Sequence, residues 1–282
     1  KSFFFLDRHF GWVITSELKA GGGPTRLWRT EDGGKTWQEL AHNLPAGGLG
    51  GMQFVTPKVG WGLGRELWRT DDGGTTWRPL PLTPVPESTG FTDMLFLGPM
   101  EGWVTGRGTI QYTTDGGESW AMQYDMTRTA RPWPWRMHLV SPTEGWVAGG
   151  AKYLVNTRDG GRTWRAVQVK DPRLGAFDRF TALHLVSSQV GVIAGQHNER
   201  ERVSRAVQRT ASPIAFRYYR PYLLVTFNGG RSWSYHDLPI PVGEWSQVGL
   251  TLFGINTVNL FPEQTGIVEV RLTPPSVKSP KR

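Results

Sequence analysis

The sequence predicts an all-β chain, a β-propeller of four-stranded antiparallel blades, and three observations predict it. An eight-residue stretch, Thr30-Glu31-Asp32-Gly33-Gly34-Lys35-Thr36-Trp37, returns at 70–77, 113–120, 157–164 and, with Asn228 in place of Asp, at 226–233. The Trp that ends it recurs at spacings of 40, 43, 44 and 69 residues, and about 40–45 residues is the length of one four-stranded blade. Between these stretches apolar and polar residues alternate with period two amid many Gly, Pro and Trp, which excludes a helical solenoid.

Each unit reads as the same series of elements. Strand A, Met52-Gln53-Phe54-Val55 in the second unit, is followed by a turn and by strand B, which opens at a Gly-Trp pair. Strand C ends in the Thr of the repeated stretch, a tight turn follows, and strand D opens at the Trp. In that turn the Asp is expected to accept hydrogen bonds from the turn's own backbone N–H groups, and Gly to take the positive φ that a narrow hairpin needs. Five complete units run from residue 3 to about residue 238. A sixth begins at Thr257-Val258-Asn259-Leu260-Phe261, with Gln264-Thr265-Gly266-Ile267 where the others have Gly-Trp, and has no Asp turn. A ring must close to remove its edge strands, so the expectation is five complete blades and a partial or atypical sixth, with six or seven in the intact ring. One propeller domain is expected over residues 1–273, followed by a Pro/Lys-rich tail at 274–282.

Nine of the fourteen Trp belong to the repeat. Trp37, Trp77, Trp120, Trp164 and Trp233 end the repeated stretches, and Trp12, Trp61, Trp103 and Trp146 stand in the Gly-Trp pairs. All nine are expected to be core. The Asp-turn residues with structural roles are therefore Asp32, Trp37, Asp72, Trp77, Asp115, Trp120, Asp159, Trp164, Asn228 and Trp233.

Thr-x-Asp-x-Gly-x-Thr/Ser-Trp resembles the Asp-box, or bacterial neuraminidase (BNR) repeat, of sialidases, sortilin-type receptors and some glucanases. Those families share β-propellers. The second repeated piece, Val59-Gly60-Trp61, Glu101-Gly102-Trp103 and Glu144-Gly145-Trp146, lies 16 to 18 residues before the box Trp; Phe10-Gly11-Trp12 lies 25 before it, and Val190-Gly191-Val192 is a weakened copy. Together the two pieces resemble the photosystem II assembly-factor family of propellers, over nearly the whole chain. The resemblance implies a sialidase-like fold of Asp-box blades and a role in membrane-protein assembly. A photosystem would be the partner only in a photosynthetic cell.

The chain carries a formal charge of +8, and two segments supply nearly all of it. Residues 197–220 hold six Arg against Glu199 and Glu201, a net +4, and the last five residues add +3. The body of the propeller is close to neutral, so the charge marks a site or a tail. Cys is absent, which removes disulfides and thiolate chemistry. No apolar run reaches the roughly 18 residues of a membrane span, and no signal-peptide pattern stands at Lys1. Lys1 is not Met and the first repeat starts at once, so a processed or excised chain is expected. The six His are scattered without ligand spacing, and no metal and no cofactor is expected.

If strand A runs from one face to the other, the A–B and Asp-box turns share one face, and the B–C and D–A loops share the opposite one. The long irregular segments fall on that second face, where function is usually carried. One is the B–C insertion at 196–221, which mixes Arg200, Arg202, Arg205, Arg209, Arg217 and Arg220 with Tyr218 and Tyr219. Arg offers a planar fork for carboxylate or phosphate and Tyr a stacking face with a polar tip, a pairing common where proteins or glycans are held. Another is the D–A linker with Arg131, Trp133, Trp135 and Arg136, whose two Trp stand outside the repeat. No nucleic-acid motif accompanies the basic insertion, so nucleic acid is not an expected partner.

No catalytic residue is assigned. Sialidases carry an Arg-Ile-Pro motif near the N-terminus, whereas this chain reads Phe5-Leu6-Asp7-Arg8-His9. Glycoside hydrolysis needs two carboxylates at a defined separation, and no spacing here singles out a pair. The expected function is a non-enzymatic, extracytoplasmic binding or assembly scaffold that recognises a protein partner, a membrane protein among the candidates. The alternatives are a glycan-binding or glycan-hydrolysing propeller and a structural domain of a larger surface protein.

Overall fold

The computed structural model describes residues 2–16, 25–40, 44, 48–64, 66–81, 91–106, 108–125, 134–150, 152–175, 178–200, 217–238, 248–252, 257–262 and 268–271. Among these residues the secondary structure is strand without helix. Each sheet is antiparallel, and spatial order follows chain order. The first blade holds β1 (Ser2–Phe5), β2 (Gly11–Ser16), β3 (Thr25–Thr30) and β4 (Gln38–Leu40). The second holds β5 (Gly51–Phe54), β6 (Gly60–Leu63), β7 (Leu67–Thr70) and β8 (Arg78–Pro79). The third holds β9 (Phe91–Phe96), β10 (Gly102–Gly106), β11 (Thr109–Thr113) and β12 (Ala121–Asp125). The fourth holds β13 (Pro134–Leu139), β14 (Gly145–Gly149), β15 (Leu154–Thr157) and β16 (Arg165–Ala166). The fifth holds β17 (Arg179–Leu185), β18 (Gly191–Arg200), β19 (Arg217–Thr226) and β20 (Ser234–Asp237). The sixth has three strands, β21 (Val248–Leu252), β22 (Thr257–Pro262) and β23 (Val268–Arg271).

Three details differ from the sequence reading. The fourth strands of the first two blades open one residue after the box Trp, at Gln38 and Arg78, because the Trp still belongs to the turn. The sixth sheet starts at Val248, so 257–262 is its middle strand and not its first. The ends of the 196–221 insertion are strand, continuing β18 and β19. The tail at 274–282 lies outside the described residues. The strands group into two compact units, Lys1–Met137 with Gly161–Thr163 and His138–Gly160 with Trp164–Arg282.

The box turn is closed by one carboxylate and two hydroxyls. In the first blade Thr30 Oγ1 accepts from Gly34 N–H at 2.8 Å and donates to Asp32 Oδ1 at 2.9 Å. Asp32 Oδ1 also accepts from Thr36 N–H at 2.9 Å, and Oδ2 accepts the Thr36 hydroxyl at 2.6 Å. The second and third blades repeat the set through Thr70 and Asp72 and through Thr113 and Asp115. In the fourth, Thr157 donates to Asp159 at 2.9 Å. Asn228 in the fifth preserves the geometry and reverses one bond: its Nδ2 donates to Ser232 Oγ at 2.8 Å where an Asp would accept. Both turn glycines have positive φ, 76° and 89° at Gly33 and Gly34, a region that side-chain-bearing residues avoid. The first glycine's N–H ties the box to the A–B turn of its own blade, as in Gly73 N–H to Lys58 O at 2.7 Å and Gly229 N–H to Gln189 O at 2.9 Å.

The glycine of the Gly-Trp pair exists because the end of strand A lies over it. Phe54 faces Gly60 in register, and a Cβ on Gly60 would lie 2.5 Å from the Phe54 ring. Phe5 over Gly11, Phe96 over Gly102, Leu139 over Gly145 and Leu185 over Gly191 repeat the arrangement. In the first unit this residue is also where successive blades join. Trp12 of the first blade stacks on Phe54 of the second at 3.6 Å between ring centroids, and Trp61 of the second stacks on Phe96 of the third at 3.6 Å. The box Trp of the same blade meets that Phe edge-on, Trp77 on Phe54 and Trp120 on Phe96. The Gly-Trp indoles then donate across the join, Trp12 to Gly73 O at 2.9 Å and Trp61 to Gly116 O at 3.1 Å. Arg69 reinforces the second join with bonds to Pro99 O and Gly116 O.

The Trp expectation needs one correction. Trp12, Trp61, Trp103 and Trp146 are buried, as are Trp77 and Trp164, but Trp37 is 36% exposed and Trp120 and Trp233 are only partly covered. The deep core belongs to the Gly-Trp set, which lies between sheets, while the box Trp packs at the end of its sheet.

The second unit has its own core of Trp146, Leu154, Phe180, Leu185, Ile193, Tyr222 and Leu224. Here Val192 stands where a Gly-Trp Trp would be, and Trp146 meets box Trp233 edge-on at 6.0 Å.

Candidate functional site: the ribbon of the fifth blade and its root

Beyond Tyr222, β18 and β19 continue as a two-stranded ribbon. Gln196 pairs with Pro221, His197 with Arg220, Asn198 with Tyr219, Glu199 with Tyr218 and Arg200 with Arg217. The fold thus gathers Arg200, Arg217, Tyr218, Tyr219 and Arg220 at consecutive register positions. Arg202, Arg205 and Arg209 lie outside the described residues, as do Arg131 and Trp133. Trp135 falls in β13, and Arg136 beside it is exposed in the first unit, where its charge acts on Asp93.

At the root of the ribbon is a polar cluster that sequence reasoning missed. Tyr222 is fully buried and lies across Gly195, its cross-strand partner, whose missing side chain leaves room for the ring. Tyr222 stacks on Tyr235 of β20 with centroids 5.1 Å apart, and His197 packs on Tyr222 at 4.6 Å. His197 Nδ1 is 2.9 Å from Asp178 Oδ2, and its Nε2 is 2.7 Å from the Tyr235 hydroxyl. That hydroxyl is in turn 2.9 Å from Asp237 Oδ1. The chain of groups runs from buried Asp178, 2% exposed, to Asp237 at the surface.

The linker between β16 and β17 folds so as to deliver two of these groups. Asp171 caps its own turn by accepting from Arg173 N–H at 3.0 Å, and it holds the Arg173 guanidinium through two bonds of 2.8 Å. Arg173 lies 3.9 Å over the Tyr235 ring, a cation–π contact. Gly175 N–H donates to Asp178 Oδ2 at 3.0 Å, which fixes the carboxylate beside His197.

The electrostatics follow from burial and partners. Burial, with the Asp178 charge next, pushes the Tyr222 hydroxyl well above its ordinary range. Burial and the Asp237 carboxylate do the same to Tyr235. Both phenols stay protonated, and the Tyr235 hydroxyl donates to Asp237. Bonds from Arg173 hold Asp171 below the usual carboxylate value, and burial lowers His236 on the same strand. Elsewhere in this unit His138 is pushed down to about 4 by burial and by neighbouring His184. Among the described residues no group of three or more His, Cys, Asp or Glu is placed to hold a metal ion. No described helix is long and apolar enough to cross a membrane.

Tyr235 and Asp178 have no sequence signal tying them to His197, since they lie 38 and 19 residues from it in the chain. A trace of the arrangement is nonetheless visible: Gly195 ends the apolar run Val192-Ile193-Ala194 inside a strand, where glycine marks a close approach.

Residues 82–196 match the family model described as photosynthesis system II assembly factor YCF48. No curated protein matches the chain in sequence. Among solved structures the chain is similar to YCF48 bound to D1 peptide, with 18% identity, 97% of this chain and 93% of that one covered, and a TM-score of 0.53. It is similar to YCF48 from Cyanidioschyzon merolae at 14% identity, covering 96% and 94%, with a TM-score of 0.53. The GH74 xyloglucanase from Xanthomonas campestris shares 16% identity at a TM-score of 0.65; 94% of this chain is covered but only 43% of the xyloglucanase. At these identities the likeness is one of fold. Over residues 82–196 the chain matches that family's model, and the likeness to the solved structures shows the fold, a β-propeller.

Proposed function

We propose that this propeller is a non-enzymatic binding and assembly module acting outside the cytoplasm. It holds a segment of a protein partner, a membrane protein among the candidates, against the basic and aromatic ribbon of the fifth blade, with Arg131, Trp133, Trp135 and Arg136 as a second contact. The observation that carries this reading is a propeller matched over 93% of its length, YCF48, in complex with a D1 peptide. The ribbon supports it chemically, because Arg217 and Arg220 flank Tyr218 and Tyr219 on β19, with Arg200 opposite Arg217 in register. Guanidinium forks and phenol faces together suit acidic or aromatic peptide segments.

The test is affinity capture from the host's envelope fraction, with Arg217→Ala/Arg220→Ala as the comparison. The double variant should lose the captured partner and keep the melting temperature of the parent. Capture that is unchanged by the substitutions would remove the ribbon as the site. Recovery of the protein from the cytoplasmic fraction alone would refute the compartment.

A second reading, glycan binding or hydrolysis, is favoured by the TM-score of 0.65 to the xyloglucanase. Turnover of a panel of fluorogenic sialosides and glucosides would carry it in place of the first.

A further inference from the structure

The root of the ribbon contains three consecutive links: Asp178 to His197, His197 to Tyr235, and Tyr235 to Asp237. Each is at hydrogen-bond distance, so each needs one proton between its two heavy atoms. A neutral imidazole and a phenol bring two protons to two carboxylates, and one link is then left with none. An imidazolium and a phenol bring three. The links are all satisfied when Nδ1–H donates to Asp178, Nε2–H to Tyr235 Oη, and the Tyr235 hydroxyl to Asp237.

We propose that the ribbon of the fifth blade is seated by a proton-dependent lock, in which His197 must carry both ring protons for the chain from Asp178 to Asp237 to close. The lock joins β18 to β20 across β19, and the ribbon begins at His197 itself. When the second proton leaves, one link opens and the ribbon loses a bond at its base. Because Asp237 and Arg173 are exposed, protons reach the cluster from its outer end.

Further charged and titratable groups stand on the elements around His197. From the linker, Asp171 is committed to Arg173, and Arg173 lies over Tyr235. Arg179 opens β17, and Arg220 stands opposite His197 in register on β19. Tyr222 lies on the same strand as Arg220, and His236 lies between Tyr235 and Asp237. The lock acts on the ribbon whether or not the ribbon binds a partner, so its failure and the failure of the proposed function are separable.

The experiment is amide hydrogen exchange on the full chain at about pH 5.5 and about pH 8, a range across which imidazoles titrate. Rates are corrected for intrinsic exchange, with the β14–β15 pairs of the same unit as internal reference. In the parent chain, opening at the base of β18–β19 should rise roughly tenfold relative to the reference at the higher pH, the scale of one lost hydrogen bond. In Asp237→Asn the new amide donates to Tyr235 Oη, the phenol donates to His197 Nε2, and Nδ1–H serves Asp178. Three protons are then present with a neutral imidazole, and the pH dependence should vanish. Because Asp237 is at the surface, the substitution does not threaten the fold. A ribbon-to-reference ratio that is independent of pH in the parent overturns the proposal, as does a pH dependence that persists in Asp237→Asn.

Discussion

Trp12 and Trp61 form a matched pair on which the joining of blades can be tested. Both are fully buried, both stack on the Phe of the next blade at 3.6 Å, and both donate an indole N–H to the first glycine carbonyl of the next box. They differ in what else that carbonyl receives. Gly116 O also accepts from Arg69 Nη1 at 3.0 Å, while among the described residues Trp12 is the one donor to Gly73 O. Replacing either Trp by Phe removes similar apolar volume, a shared cost of roughly 2 kcal/mol in transfer and cavity. Trp12→Phe additionally leaves a buried carbonyl without a partner, which costs about 1–3 kcal/mol more. Trp61→Phe does not. Urea unfolding monitored at unchanged slope should therefore place Trp12→Phe below Trp61→Phe by at least about 1 kcal/mol. Arg69→Met should cost little alone but remove the remaining donor in the Trp61→Phe background, so the double variant should lose about 1 kcal/mol more than the sum of the singles. Equal costs for the two Trp substitutions, or additivity in the double variant, would refute the argument that these carbonyls matter to the join.

The remaining predictions concern pH and space. Asp32 is held at about 2, chiefly by the Thr36 hydroxyl, against an ordinary 3.8, so the stability it contributes is present above about pH 4 and lost as pH falls toward 2; amide exchange of Thr36 should accelerate over that window. Asp93, pushed up to about 6 by burial, acts in the opposite sense, since its folded form holds a proton that its unfolded form has released. Stability should fall as pH rises from about 4 to about 6, and Asp93→Asn should abolish that slope while keeping the bond from Met137 N–H. His138, lowered to about 4, contributes stability that appears as pH rises through about 4 to 6.5, and His138→Gln should flatten that rise in a pH series of melting temperatures. Gly60→Ala drives a Cβ to 2.5 Å from the Phe54 ring and should cost about 1–3 kcal/mol in urea unfolding.

The box and the Gly-Trp pair were legible because both are dictated locally. A turn with two positive-φ residues requires glycine, the Thr and Asp that close it lie within six residues of each other, and strand A must have a small partner. The ribbon was read as a loop because 196–200 and 217–221 lack apolar alternation; their pairing continues strands whose register the core has already set, through Ile193 with Leu224 and Gly195 with Tyr222. The sixth sheet is entered one strand late at 257, because its first strand, Val248–Leu252, carries neither a Gly-Trp pair nor an Asp turn to mark it. The root cluster was illegible for a different reason. Asp178 comes from a linker, His197 from β18 and Tyr235 from β20, so no spacing in the chain reports their meeting.

Departures from the repeat are concentrated in the fifth blade, and together they mark it as the specialised one. Its Gly-Trp pair reads Gly191-Val192, and its box Asp is Asn228. Its interval is 69 residues where the others are 40 to 44, and its second and third strands run to ten residues each against four to six elsewhere in the other complete blades. Val192 is itself buried where the other blades carry the Trp, and Tyr222, Phe180 and Tyr235 pack into a core on the other face of the strand, since Tyr222 pairs with Gly195 and Val192 with Val225. Tyrosine in that role brings a hydroxyl into the core, and a buried hydroxyl has to be answered by partners. For Tyr235 those partners are His197 and Asp237, and His197 in turn is held by Asp178. The polar root thus follows from placing two tyrosines in the core of this blade, and it stands where the ribbon carrying Arg217 and Arg220 leaves the scaffold.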